Sequence, residues 1–314
     1  MKTILKTFAL IFIVSLVGCN KSDEPFVDFK SSTALSIFVK DKKVGISSLV
    51  NKNYTVFTEY WIDGEKSTSE QLTALLPDGN YYRTSIDREY NVSTVYRKTN
   101  GEVVTYKFSR NYSLHPDFQL YYYKNNLLQK MDTTTYGVIH AVDAGKDELF
   151  AGFFGRERYS DYGNYLAPTK AFYWDGAKKI QELPLPSTYF KGVSCVHKSN
   201  DAVYVAAKTD FTMYWKNTEI VRLSQKYGEI KQIITVGNDV YAVGFYNKNN
   251  NLNSNHTAAY WINDKLVELE DNAIAYSIFL DGRDVYVAGA VGRHESEFKA
   301  CYWINGERVM LEED

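Results

Sequence analysis

One phrase recurs four times in the C-terminal half of the chain: "KAFYWDGAKKIQELP", "FTMYWKNTEIVRLS", "TAAYWINDKLVELED" and "KACYWINGERVMLEED". Each joins an apolar strand ending in Tyr-Trp to a turn of Asn, Asp or Gly, then to a strand alternating apolar and polar residues. Such turn residues tolerate the positive φ that tight hairpins require. Alternation with period two marks a half-buried strand. Each phrase therefore predicts a β-hairpin. A second phrase precedes each one: "VDAGKDELFAGF", "HKSNDAVYVAAK", "TVGNDVYAVGF" and "FLDGRDVYVAGA". It too reads strand, turn, strand, so each unit holds four short strands.

The tryptophans stand at 174, 215, 261 and 303, a mean step of 43 residues. Four strands in that length is the period of a β-propeller blade. One blade cannot bury both of its faces, whereas blades stacked around an axis can. The expected fold is all-β, a β-propeller of four-stranded blades. Residues 33–314 hold between six and seven such periods, with six blades favoured and seven possible. Upstream, "TEYWIDGEK" around Trp61, "TVYRKTNGEVVTY" around Tyr96 and "LYYYKNNLLQKM" around Tyr123 keep the hairpin form. Tyr96 and Tyr123 stand too close for two full blades. The repeats are thus clear over 131–314 and degenerate over 33–130. No linker-like stretch divides 33–314, so a single domain is expected. The 26 Tyr and 17 Phe agree with strands, because their rings pack across a pleated surface.

The units resemble the degenerate propeller repeats of Bacteroidetes lipoproteins. They are also similar to extracellular HAF-type repeats, in which an Ala-Phe-x-Trp-x-Asn-Gly hairpin precedes a Gly-x-Val-Val-Gly strand. The matching residues are Ala300 to Gly306 and Asp284 to Gly289. The resemblance covers 131–314 well and 33–130 poorly. It implies a propeller, and a fold does not imply a function.

The N-terminus reads as a processing signal. Lys2 and Lys6 precede the apolar run "FALIFIVSLV", too short to span a bilayer but suited to a signal peptide over 1–18. The run ends in "LVGC", the form of a bacterial lipobox, which makes Cys19 the lipidated residue and the membrane anchor. Residues 19–32 are expected to be a flexible tether. Within them "KSDE" resembles the acidic export signal of Bacteroidetes surface lipoproteins, and a charged tether explains the same residues equally well. The expected address is the outer membrane, lipid-anchored, with the cell surface favoured over the periplasmic face.

Between the Val-Ala-Gly strand and the Tyr-Trp strand, each unit carries its most variable segment: "GRERYSDYGNYLAPT", "TDF", "YNKNNNLNSNHT" and "VGRHESEF". All four occupy one place in the repeat, so they are expected on one face of the ring. Variable loops on a constant scaffold are where binding usually sits. The first offers Arg156, Arg158, Tyr159, Tyr162 and Tyr165 as candidate ligand-binding residues, since Arg and Tyr suit recognition surfaces. The plain alternative is a tolerated surface insertion. The Tyr-Trp pairs, repeated in every unit, are expected in the core. Cys195 and Cys301 fall in non-adjacent units and are expected to be buried free thiols. His256 and His294 lie in the variable loops of successive units. "DTT" at 132–134 resembles an O-glycosylation site.

The histidines and cysteines show no metal-binding spacing, and there is no nucleophile elbow, phosphate loop or calcium loop. No catalytic residue, metal or cofactor is therefore expected. A net charge of -2, with no basic run beyond the N-terminus, gives no footprint for nucleic acid. These residues read as a monomeric ring acting as a non-catalytic binding module for a protein or glycan at the cell envelope. The alternatives are a propeller glycoside hydrolase or lyase using carboxylates on the loop face, and a structural subunit of an envelope assembly.

Overall fold

The computed structural model describes residues 30–85, 92–108, 120–131, 137–145, 147–160, 163–176, 180–186, 189–199, 201–249 and 256–312. Residues 1–29, with Cys19, lie outside them, as do 132–136 with the "DTT" segment.

Among the described residues, six antiparallel meanders follow one another along the chain, five of four strands and one of five. The first contains β1 (Lys30–Lys40), β2 (Lys43–Lys52), β3 (Thr55–Ile62) and β4 (Glu65–Ser67). Strand β1 begins at Lys30, three residues ahead of the start expected from the repeats. A short helix, α1 (Ser69–Leu75), follows; Thr68 caps it, and Leu72 is buried against the first blade. The next sheet has five strands: β5 (Asn80–Ser85), β6 (Val92–Arg97), β7 (Val103–Phe108), β8 (Tyr121–Lys124) and β9 (Leu127–Lys130). The third blade is β10 (Gly137–Asp143), β11 (Leu149–Ser160), β12 (Gly163–Trp174) and β13 (Gln181–Leu183).

The fourth comprises β14 (Phe190–Lys198), β15 (Val203–Thr209), β16 (Thr212–Lys216) and β17 (Glu219–Ser224). The fifth comprises β18 (Gly228–Val236), β19 (Asp239–Tyr246), β20 (Thr257–Ile262) and β21 (Lys265–Asp271). A single pairing, Thr209 with Gly228, joins these two blades into one eight-stranded sheet. The sixth is β22 (Ala273–Asp281), β23 (Asp284–Val291), β24 (Lys299–Ile304) and β25 (Glu307–Met310). Each blade packs on the next, and β1 packs against β22, β23 and β24. The ring is closed. The chain is a β-propeller of six blades.

The repeated phrase explains the blade. Five tryptophans hold one register position: Trp61 faces Ile46, Trp174 faces Phe150, Trp215 faces Val205, Trp261 faces Ala242 and Trp303 faces Val287. Trp215, Trp261 and Trp303 are fully buried between blades, as expected, and Trp61 nearly so. Trp174 is half-buried. Tyr123 takes the same place in the second blade, opposite Lys107.

Two residues after each stands Asp63, Asn125, Asn217, Asn263 or Asn305, with φ between 50° and 58°. Its Oδ1 accepts the backbone N–H of Val44, Thr105, Val203, Val240 or Val285 at 2.8–3.0 Å. Its own N–H donates to that same residue's carbonyl at 2.6–2.9 Å. The turn thus clips the third strand to the second, and Asn or Asp is favoured because it tolerates positive φ and carries the acceptor. The third blade has Gly176 there instead, at φ 81°.

The degenerate region is resolved by β5. Tyr96 and Tyr123 belong to one blade, on β6 and β8. Strand β5 is a fifth strand inside that blade, antiparallel to β6. Gly79 N–H donates to Arg97 O at 2.7 Å, so β5 enters from the tight-turn end of the ring. It runs against the innermost strands of the other five blades. It packs on β1, β2 and β3 of the first blade.

Candidate functional site

The five other innermost strands share one irregularity. In each, the ladder to the second strand skips a residue at one common place: Leu35, His140, Ser194, Lys231 and Tyr276; β14 skips Lys191 as well. A bulge of this kind re-aims a side chain. Opposite three of the bulges stands the glycine of the Val-Ala-Gly phrase: Gly152, Gly244 and Gly289. A Cβ at these glycines would come within 1.9–2.2 Å of a carbonyl oxygen on the innermost strand. Glycine there lets the bulge close onto its neighbour. In the second blade the inner edge of β6 is occupied by β5, and its ladder to β7 is regular.

All five bulged residues are half-buried and line one cavity of about 610 Å³. It opens at the start of the innermost strands, on the face where second strands connect to third strands. That volume falls in the range of about 300–1,000 Å³ usual for ligand pockets. At three of the bulges, the residue that follows joins its blade to a neighbour. Ser36 Oγ accepts the N–H of Arg83 at 2.9 Å, Ser277 Oγ that of Ile37 at 3.3 Å, and Gln232 Oε1 that of Ile278 at 2.7 Å. Inner-edge donors without a ladder partner are satisfied this way.

The floor comes from β5. Arg83 Nη2 donates to the carbonyl of Lys231 at 3.2 Å, reaching from the second blade to the fifth, across the ring. It also meets Tyr81 Oη at 3.4 Å. Tyr81 packs on Tyr96, with ring centroids 4.8 Å apart. Burial pushes the Tyr81 hydroxyl above the usual phenol range, against the Arg83 charge that lowers it. Burial works against the Arg83 cation, but the phenols and the Cys195 thiol around it hold it protonated.

On the wall, Lys231 pairs with Glu229 at 2.8 Å and lies over the rings of Phe245 and Tyr276 at 5.6 and 5.4 Å. Lys208 reaches the same carboxylate at 3.8 Å. Burial opposes the Lys208 charge, while Glu229 and Tyr227 raise its pKa above the ordinary lysine value. Lys191 is exposed at the rim, over the Tyr189 ring. His140 Nδ1 lies 2.9 Å from the carbonyl of Val193 in the next blade. Ser194 Oγ is buried without a hydrogen-bond partner among the described residues. The cavity thus brings together four cations (Arg83, Lys191, Lys208 and Lys231) and two carboxylates (Glu229 and Glu295).

The candidate residues read from the sequence lie in a different segment. The segment holding Arg156, Arg158, Tyr159, Tyr162 and Tyr165 is not a loop but an extension of the β11–β12 hairpin. Arg158 pairs with Tyr165 and Tyr159 with Asn164 in its ladder. Arg156 is exposed. The side chains of Arg158, Tyr159 and Tyr165 lie outside the described residues, as does the whole of Tyr162. None of the described residues of 155–168 lines the cavity. The expectation of a common loop face fits the topology, and the loop of the sixth blade contributes Glu295 and Phe298 to the rim. His256 is half-buried against Phe245, with ring centroids 4.2 Å apart, and its Nδ1 lies 2.7 Å from Asn247 Oδ1. Cys195 and Cys301 are buried and free, as expected.

A second array lies at the opposite end of the innermost strands. His197 Nδ1 is 3.0 Å from Asp143 Oδ2, and its Nε2 is 2.9 Å from Thr235 Oγ1. Asp143 also accepts the N–H groups of Gly145 and Lys198. These bonds join the third, fourth and fifth blades. Among the described residues no cluster of three or more His, Cys, Asp or Glu side chains could hold a metal ion. No described helix is long and apolar enough to cross a membrane.

No family model matches the sequence, and no curated protein matches it. Among solved structures, it is similar to the acylaminoacyl peptidase of Pyrococcus horikoshii, at 9% identity and a TM-score of 0.49, over 92% of this chain and 53% of that one. A puromycin-hydrolyzing peptidase of Mycobacterium tuberculosis aligns at 7% identity and 0.44, over 89% and 52%. A mutant Trypanosoma rangeli sialidase displaying trans-sialidase activity aligns at 9% and 0.40, over 87% and 54%. The chain spans about half the length of each. Likeness at this level says nothing about activity, and the propeller stands on the sheet topology.

Proposed function

We propose that this chain is a binding propeller of the cell envelope, anchored through a lipid on Cys19, that takes a glycan or protein ligand into its central funnel without covalent chemistry. The observation that carries this reading is the construction of the funnel. Five bulges of common position aim five different side chains into one cavity, and a sixth strand element supplies its floor. A constant scaffold with a variable lining is the arrangement expected of recognition. Glycoside hydrolysis asks for two carboxylates flanking a bond, one of them a proton donor. Here Glu229 is ion-paired to Lys231 and near Lys208, which suits it to holding lysines in place.

The test uses the soluble ring, residues 25–314, against a glycan array and envelope protein extracts. Leu35→Trp fills the funnel from an uncharged wall position. The expected result is a captured ligand whose binding Leu35→Trp abolishes while the fold is retained. A ligand bound equally by both proteins would refute the funnel as the site. Anchoring is read separately: Cys19→Ala in the full-length precursor moves the protein from the membrane to the soluble fraction, and unchanged fractionation refutes it.

A further inference from the structure

We infer that the funnel receives an acidic saccharide, with a sugar carboxylate seated on Arg83 at the floor and Lys191 at the rim. This rests on the binding reading above. The starting point is a charge imbalance. Of the four cations that line the cavity, Lys231 and Lys208 share the Glu229 carboxylate. Glu295 is exposed at the rim. Among the described residues, no carboxylate lies within ion-pair distance of Arg83 or Lys191. Arg83 is the more telling of the two. A guanidinium carries five N–H donors in a planar fork that matches a carboxylate. Among the described residues, the guanidinium hydrogen bonds of Arg83 come from Nη2 and both go to neutral oxygens, Tyr81 Oη and the Lys231 carbonyl. A cation held in the interior without an anion is costly, and an incoming carboxylate offsets that cost. Such a pair is short, charge-assisted and directional.

The rest of the wall says what the carboxylate is attached to. Thr33, Thr84 and Thr94 line the cavity, and the buried Ser194 Oγ has no partner among the described residues. An orphan buried hydroxyl is rare in a folded protein and needs an explanation. A ligand that brings hydroxyls of its own provides one. Tyr276 and Phe298 also line the cavity, and aromatic rings can pack on the apolar faces of sugars. Cations, hydroxyl-bearing side chains and aromatic residues in one cavity match a uronic acid better than an acidic peptide. A peptide would need backbone partners, and the cavity's charge alone would not discriminate it.

The experiment titrates the soluble ring with tetrasaccharides of galacturonate, glucuronate and mannuronate, with their carboxyl-reduced counterparts, and with tetraglutamate. At least one uronate tetrasaccharide is expected to bind about tenfold or more tighter than its reduced form, and tighter than tetraglutamate. Arg83→Gln removes that preference. If Arg83→Gln fails to fold, Lys191→Gln, at an exposed position, decides by weakening the uronate and sparing the reduced sugar. Equal affinity for acid and reduced forms overturns the inference. So does tighter binding of tetraglutamate, no binding of any uronate, or uronate binding untouched by both variants. If all uronates fail while another ligand is still blocked by Leu35→Trp, the binding reading survives and the acidic sugar does not. If an unsaturated sugar accumulates during titration, the acidic sugar stands and the non-catalytic reading falls.

Discussion

Replacing Gly244 by alanine tests the link between the repeated phrase and the funnel. The added Cβ would lie 1.9 Å from the carbonyl oxygen of Glu229 and 2.9 Å from its carbon, both backbone atoms. Real Cβ contacts stay beyond 3.0 Å, so β18 and β19 must part by about 1 Å at the Lys231 bulge. Overpacking of a dense interior costs about 1–3 kcal/mol. Each ladder hydrogen bond lost beside the bulge adds about 0.5–1.5 kcal/mol. The expected loss is about 2–4 kcal/mol, a large part of the about 5–15 kcal/mol that stabilises an ordinary domain. Urea unfolding of the soluble ring measures it, with Gly306→Ala as the control. Gly306 has φ 89° and nothing within 4 Å of its would-be Cβ, so its variant bears only the backbone cost, about 1–2 kcal/mol. Gly244→Ala within about 0.5 kcal/mol of the parent, the scatter of ordinary surface changes, would refute the steric account. So would Gly306→Ala proving the more damaging of the two.

Asn263→Gly keeps positive φ but loses the clip to Val240, at about 0.5–1.5 kcal/mol; Asn263→Ala costs about 1 kcal/mol more in thermal unfolding, and equal losses would remove φ from the explanation. Burial and the Lys231 cation hold His256 below the usual histidine range, so the unfolded chain takes its proton first. The stability this histidine contributes is whole above about pH 6.5 and falls as the pH drops toward its lowered native value. His256→Gln should flatten that part of the pH–stability curve, and an unchanged slope would refute the assignment. Burial pushes the Cys195 thiol up to about 12 and raises that of Cys301 as well. A thiolate-trapping reagent at neutral pH should label neither in the native ring and both on unfolding; fast native labelling would show an open path to one of them.

The blades were legible because their hairpins repeat a chemical requirement. Tyr-Trp packs between sheets, and Asn two residues later both bends the chain and clips it. Strand β5 was not legible. "NYYRTS" has neither phrase, and its packing partners in the first blade are distant in sequence. The funnel was hidden for a related reason. Leu35, His140, Ser194, Lys231 and Tyr276 share a backbone position and no side-chain type, so no residue pattern marks them. One signal was present: the glycine of Val-Ala-Gly stands where only a missing Cβ permits close approach. It pointed to the innermost strand opposite, while the variety in "GRERYSDYGNYLAPT" drew attention to a hairpin extension whose described residues do not line the cavity.

Closure of the ring has a mechanical corollary. Five of the six joints between blades have the polypeptide running across them. The joint between the sixth blade and the first has only non-covalent bonds: Ser32 N–H to Phe298 O, Ala300 N–H to Ser32 Oγ, Lys30 to Glu312, and the apolar contacts of Ala34, Ile37 and Tyr302. Strand β1 supplies the first blade's side of that joint, and its first residue is where any leash from Cys19 attaches. Traction on such a leash would therefore arrive at the one place where the circle can come undone.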